Sequence, residues 1–186
     1  MEIFMNPLGH ASCEGTHMDD AVTVNQAEDE LLAGEQKLSR LDYENAFKHF
    51  SNAIKLNPND ARAYFGKAES SVGMPKVKPE EVATFYKKAI ELDPNNPQFL
   101  EAYAAFCMEA GRFNEAESAY LKAAELDAEN APYYFSDFAI TYNMLAPIIM
   151  AELMDEQTKD LVAKKSLSYL LMALKMDKEY AKKLLE

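Results

Sequence analysis

Apolar residues recur three, four and seven positions apart along most of the chain, which is the spacing of one face of a helix. A larger period lies on top of it. Four segments end alike: Ala53-Ile-Lys-Leu-Asn-Pro58, Ala89-Ile-Glu-Leu-Asp-Pro94, Ala123-Ala-Glu-Leu-Asp-Ala128 and Ala173-Leu-Lys-Met-Asp-Lys178. Their leading alanines are 36, 34 and 50 residues apart. Small residues recur upstream at Gly34, Ala68 and Ala104, then at Ala46, Val82 and Ala116, with an aromatic at Phe50, Tyr86 and Tyr120. Small positions let two antiparallel helices approach closely, and the rings fill the space beyond the contact. Asn57-Pro58 and Asp93-Pro94 stop a helix, because the residue before proline is pushed out of the helical region. Leu41-Asp42-Tyr43 and Gly111-Arg112-Phe113 mark turns between paired helices.

A unit of this length made of two helices is the signature of a repeat array, in which each unit buries its apolar face against its neighbours. The pattern resembles the tetratricopeptide repeat, whose 34-residue unit has small residues at positions 8, 20 and 27, an aromatic at 24 and proline at 32. Residues 27–60 match with Gly34, Tyr43, Ala46, Phe50, Ala53 and Pro58. Residues 61–96 match with Tyr64, Ala68, Tyr86, Ala89 and Pro94, and carry two extra residues around Gly73–Pro79. Residues 97–130 match with Tyr103, Ala104, Gly111, Phe113, Ala116, Tyr120 and Ala123, with Ala128 in place of proline. The resemblance implies an all-α fold, an α-solenoid of helix–turn–helix units.

A fourth unit departs from the pattern. Phe135, Phe138, Ala139 and Tyr142 suit a first helix, and Leu170 and Ala173 a second, with 15 residues more between Ala139 and Ala173 than an ordinary unit has. At 3.6 residues per turn that is about two extra turns on each helix. The expectation is a lengthened hairpin over 132–176, bent near Asp155–Lys159 and kinked at Pro147. Residues 177–186 then form a terminal capping helix, and 23–186 make one repeat domain behind a disordered tail, 1–22. Leu145, Ile148, Ile149, Met150, Leu153 and Met154 lie on the added length. Of these, Ile148, Ile149, Met150, Leu153 and Met154 make a candidate assembly surface, through which the chain could form a homodimer.

Charge narrows the partners. The chain has 19 Lys and Arg against 31 Asp and Glu, a formal net charge of −12. That argues against a nonspecific binder of nucleic acid or anionic membrane, which needs a basic footprint. Residues 159–186 nevertheless carry seven Lys and four acids. No apolar run approaches the ~20 residues of a membrane span. The start of the chain has neither the basic residues nor the long apolar stretch of a secretory signal, and two cysteines make no disulfide framework, so the expected location is cytoplasmic.

Candidate chemistry is sparse. His10, Cys13 and His17 are metal-ligand types without a fourth partner, and no metal or cofactor is expected. Cys107 falls at a position that packs between helices. No phosphate loop, nucleophile elbow or metalloprotease helix appears, so no enzyme is expected.

The resemblance implies a binding function. In that family the concave groove is lined by first-helix positions 2, 5, 9 and 12. On this chain the site residues so implied are Leu31, Glu35, Leu38, Arg62, Phe65, Glu69, Val72, Gln98, Glu101 and Met108, with Glu28 and Ala105 at the remaining positions. Apolar anchors beside carboxylates suit a peptide or helix with apolar side chains and basic flanks. Family members that grip a terminal carboxylate do so with a basic clamp. Its positions fall here on Leu31, Glu35, Gly66, Gln98 and Ala102, none of them basic. The expected function is therefore a protein-interaction adaptor or scaffold without that clamp. The alternatives are a homo-oligomeric assembly module built on the fourth hairpin, or a small chaperone-like repeat protein.

Overall fold

The computed structural model describes residues 16–175, and every regular element among them is a helix. In chain order these are α1 (Thr16–Leu38), α2 (Tyr43–Leu56), α3 (Ala61–Val72), α4 (Pro79–Leu92), α5 (Pro97–Glu109), α6 (Phe113–Leu126), α7 (Ala131–Ile149) and α8 (Glu156–Ala173). A single 3₁₀ turn, Ala151–Leu153, precedes α8. The helices pack in antiparallel pairs, α1 with α2, α3 with α4, α5 with α6 and α7 with α8. Successive pairs stack through α2 on α3, α4 on α5 and α6 on α7. First helices also touch across units, α1 with α3 and α5 with α7.

Local chemistry sets the helix limits. The Asp60 and Asn96 side chains accept hydrogen bonds from the Arg62 and Gln98 amides, which caps α3 and α5. Pro79 and Pro97 stand in the first turns of α4 and α5, where a missing N–H costs nothing. Both short turns predicted from sequence are present. Gly111 turns the chain after α5 with φ of 71°, and Leu41 does the same after α1 with φ of 59°. In each turn an amide reaches back to the helix it ends, Asp42 to the Lys37 carbonyl and Arg112 to the Cys107 carbonyl. Leu41 lacks the freedom of glycine in that region, so its turn carries about 1 kcal/mol of strain.

The small and aromatic positions behave as the repeat requires. Ala46, Ala53, Ala68, Val82, Ala89, Ala104, Ala116 and Ala123 are buried, and so are Phe50, Tyr86 and Tyr120. Phe50 sits in a slot cut by two glycines. A Cβ added at Gly34 would lie 2.8 Å from its ring, and one at Gly66 only 2.3 Å. Cys107 is buried at the equivalent seam of α5 and its thiol is pushed up by that burial, so it packs as a small core residue.

The fourth unit differs from expectation in three ways. Its helices have 19 and 18 residues against 12 to 14 in α3–α6, but part of the added length is a non-helical link around the 3₁₀ turn. The bend consequently falls at residues 150–155, and Glu156–Lys159 already belong to α8. The Asp155 carboxylate accepts from the Thr158 amide at 2.7 Å and starts α8 there. Pro147 does not kink the middle of α7. It stands in the last turn, and the helix ends two residues later. At the other end of the chain α1 begins at Thr16, so residues 16–22, expected in a tail, are helical. The remainder of that tail and the expected capping helix 177–186 lie outside the described residues.

The slot around Phe50 gives a test in which two effects oppose. Gly→Ala in a helix interior normally stabilises by about 1 kcal/mol. At Gly66 the new methyl would sit 2.3 Å from the ring of Phe50, which is itself buried. Overpacking of that kind costs about 1–3 kcal/mol, so Gly66→Ala is expected to destabilise. Urea denaturation with an unchanged slope and a lower midpoint is the expected result.

Candidate functional site: the inner face of the first helices

The inner face presents α1, α3, α5 and α7 side by side, and it holds two clefts. The first has a volume of about 480 Å3 and is lined by Leu38, Leu41 and Tyr43, by Glu69 and Val72 of α3, and by Ala102, Ala105, Phe106 and Glu109 of α5. Tyr86 reaches it from α4. Ala102 and Ala105 make the hollow, because small side chains there leave Phe106 and Tyr86 accessible from the groove. The second cleft, about 570 Å3, lies at the N-terminal ends of α5 and α7. Asp93, Gln98, Glu101, Asp127, Asn130 and Tyr133 are among its lining residues.

The residues implied by the repeat positions divide between these clefts and the packing around them. Leu38, Glu69 and Val72 line the first cleft, and Gln98 and Glu101 the second. Glu35 is exposed on α1 beyond the first cleft. Leu31 and Met108 are not on the groove surface. Leu31 is 1% exposed and packs with Ala46, Phe50, Ala53 and Ala63, because α1 must seal against both α2 and α3. Met108 is 0% exposed in the core around α5–α7, at the last turn of a helix covered on two sides.

Phe65 and Arg62 serve the stack. Phe65 lies on Phe99 of the next unit, ring centroids 4.7 Å apart, and meets Tyr86 edge-on at 6.2 Å. Arg62 forks onto Glu28 at 2.7 and 3.2 Å and onto Asp60 at 2.9 and 3.2 Å. Those carboxylates raise its guanidinium above its ordinary range and tie α1 to α3.

The groove carboxylates have internal partners that repeat positions do not reveal. Tyr86 donates its hydroxyl to Glu69 at 2.5 Å, and Tyr133 donates to Glu101 at 3.0 Å. Tyr120 donates to Asp137 of α7, and Tyr134 to Asp127 at 3.1 Å. Away from the groove, Tyr103 donates to Glu115 at 2.5 Å and Tyr169 to Glu117 at 2.7 Å. A charge change at Glu69 would strip a nearly buried phenol of its acceptor, so it would test the fold as much as the groove. Glu109 and Ala105 are exposed in the same cleft and carry no such load.

Sequence reasoning missed Tyr43, Phe106 and Glu109, which stand off the four chosen positions. It also missed the continuation of the groove onto α7. Ile140 and Met144 are 54% and 63% exposed there, one turn apart, and Ile148 follows at 71%. The same first-helix positions carried into the fourth unit would have found Tyr133 and Ile140. The assembly candidates split likewise. Ile148 and Leu153 are well exposed and Ile149 is 45% exposed, whereas Met150 and Met154 are half-buried against the core.

Helical hairpins stacked about a concave face define a repeat solenoid, a class that presents an extended surface for recognition. A family model for the tetratricopeptide repeat matches residues 78–136. Small glutamine-rich tetratricopeptide repeat-containing protein 2 of Saccharomyces cerevisiae is 29% identical over 116 residues, covering 61% of this chain and 32% of that protein. Hsp70-Hsp90 organizing protein 3 of Arabidopsis thaliana is 31% identical over 107 residues, covering 58% and 19%. The crystal structure of MamA shares the fold with a TM-score of 0.65 over 89% of this chain and 86% of that one, at 14% identity. Residues 78–136 thus carry the tetratricopeptide repeat, and the fold around them is that of a tetratricopeptide-repeat solenoid. It spans about a third or less of the length of the curated relatives it matches. Among the described residues no helix is long and apolar enough to cross a membrane.

The tyrosine pairs predict an alkaline limit. Burial first, and the carboxylate acceptors second, push the phenols of Tyr86, Tyr103, Tyr120 and Tyr169 up, and Tyr134 to about 12. Tyr133 is raised chiefly by its bond to Glu101. A raised phenol keeps its proton in the fold while the unfolded chain ionises near ~10, so this stability is complete below pH ~10 and is lost above it. The thermal midpoint is expected to fall between about pH 9 and 11, alongside delayed phenolate absorbance.

Proposed function

We propose that the chain is a protein-interaction adaptor whose inner groove holds a partner segment with apolar anchors and basic flanks. The observation that carries this is the first cleft. Leu38, Leu41, Val72 and Phe106 surround a hollow opened by Ala102 and Ala105, and Glu69 and Glu109 stand at its walls. An apolar side chain would enter the hollow and a lysine or arginine beside it would meet the carboxylates. The name of the Arabidopsis relative, an organizer of Hsp70 and Hsp90, supports a role in bringing proteins together. The mode of grip is a different matter. Of the five clamp positions, Leu31 and Gly66 are buried, Glu35 is negative, and Gln98 and Ala102 are uncharged. An acidic peptide tail would find no cation among them.

Affinity capture from a lysate of the source cells tests this reading. Ala105→Arg fills the hollow and Glu109→Lys reverses its wall, and neither residue supports the core. A protein retained by the natural chain and lost from both variants, each folded by circular dichroism, is the expected outcome. Equal retention by all three would overturn the proposal.

A second reading rests on the end of the fourth hairpin. Ile148 and Leu153 are 71% and 67% exposed and close in sequence, an apolar pair suited to self-association. In that case sedimentation equilibrium gives a dimer for the natural chain and a monomer for Ile148→Glu with Leu153→Glu. A natural chain that sediments as a monomer at high concentration removes this reading.

A further inference from the structure

The outer face carries a series of equivalent grooves between second helices, and their contents differ. Each groove is flanked by one residue three positions before the central aromatic of one unit and one residue just before it in the next. Between α2 and α4 those are Phe47 and Phe85, whose rings meet edge-on at 6.3 Å. Lys67 of α3 covers both, its ammonium 4.7 and 4.5 Å from the ring centres. Between α6 and α8 they are Glu117 and Tyr169, joined by a 2.7 Å hydrogen bond and sealed by Lys165 at 2.5 Å. Between α4 and α6 they are Ala83 and Ala119. Ala83 is buried and does not reach the surface, and Ala119 is too short to cover what a ring or a hydrogen-bonded pair covers in the neighbouring grooves.

The result is a cleft of about 480 Å3. Leu100 and Tyr103 of α5 form its floor, Ile90 and Ala119 its apolar sides, and Lys87 and Lys122 stand on its rim. Glu115 is also at the rim, but Lys87 at 3.0 Å, Arg112 at 2.5 Å and the Tyr103 hydroxyl at 2.5 Å already engage it. Lys122 makes no ion pair among the described residues. With Lys87 and Glu115 paired, Lys122 leaves the rim one unpaired positive charge in a chain whose formal net charge is −12. The inner groove has the opposite character, with carboxylates around its hollow.

We propose that this outer cleft is a second docking site, taking from a partner protein a segment with one large apolar anchor and carboxylates beside it. The anchor enters between α4 and α6 above Leu100 and Tyr103, and a carboxylate beside it meets Lys122. A partner that suits the inner groove is repelled here, so the two faces take different segments. Both can be occupied at once, because α5 separates them.

The test uses the whole chain and two short fluorescein-labelled peptides, followed by fluorescence anisotropy. Each has a single phenylalanine, flanked by glutamates in one and by lysines in the other. The glutamate peptide is expected to bind at least about tenfold tighter than its lysine twin. Ala119→Phe should weaken it by about tenfold or more, since it supplies the ring that Phe85 supplies to the preceding groove. Lys122→Glu should do the same and move the preference toward the lysine peptide. Lys122 is exposed, so that variant decides alone if Ala119→Phe does not fold. Absence of saturable binding, no preference between the peptides, or affinity kept within about twofold in the folded variants would overturn the proposal.

Discussion

Each of the first three units of this solenoid depends on one buried ring. Phe50, Tyr86 and Tyr120 are 1%, 2% and 1% exposed, and each lies where two helices of one unit meet the first helix of the next. The ring fixes how closely the helices approach, so the residues around it must leave it room. Around Phe50 the constraint is met by Gly34 and Gly66. Around Tyr86 it is met differently, by Phe65, Tyr103 and Phe106 turned to different angles with centroids 5.5 to 6.2 Å away. Stacking energy and groove shape therefore have the same origin.

A hydroxyl on that ring adds a second condition. A buried phenol needs an acceptor, and the cheapest acceptor reachable from the seam is a carboxylate on a first helix. Tyr86 finds Glu69 and Tyr120 finds Asp137. Phe50 has no hydroxyl, and its neighbours there are glycines. Part of the acidity of the inner face is thus structural. Glu69 accepts from Tyr86 and also lines the first cleft, so one side chain holds the seam and bounds the surface a partner meets. This links the alkaline sensitivity of the fold to the electrostatics of its binding face.

The repeat itself was legible because it rests on residue sizes at fixed spacing. Ala46, Ala53, Ala89 and Ala123 are buried where the spacing placed them, and Gly111 turns the chain as a positive φ requires. The site was less legible. A rule for which first-helix positions face the groove assumes average helix rotation, and Leu31 and Met108 depart from it because their helices are covered on two sides. Tyr133–Glu101 and Tyr86–Glu69 join residues 32 and 17 positions apart, pairings that no local pattern expresses. The bend of the fourth unit escaped for another reason. Asp155 is the helix start, but its acidic and polar successors Glu156–Lys159 read as a turn when the cap is not seen.

Repetition also gives an internal standard against which a departure can be measured. Phe47 with Phe85, and Glu117 with Tyr169, show that the space between second helices can be filled by an apolar pair or by a hydrogen-bonded one. The open space beside Ala119 is then a property of that residue and not of the fold. The same comparison explains Tyr103. It occupies the position of Lys67 and Phe138 and, like Phe138, it lies beneath a lysine, Lys87 at 5.9 Å against Lys165 at 5.8 Å. Its hydroxyl turns to Glu115, which Lys87 and Arg112 help to hold down to about 2. Glu115 is fully ionised at neutral pH with its charge spent on those three donors, and the ammonium of Lys122 faces outward beside an apolar floor.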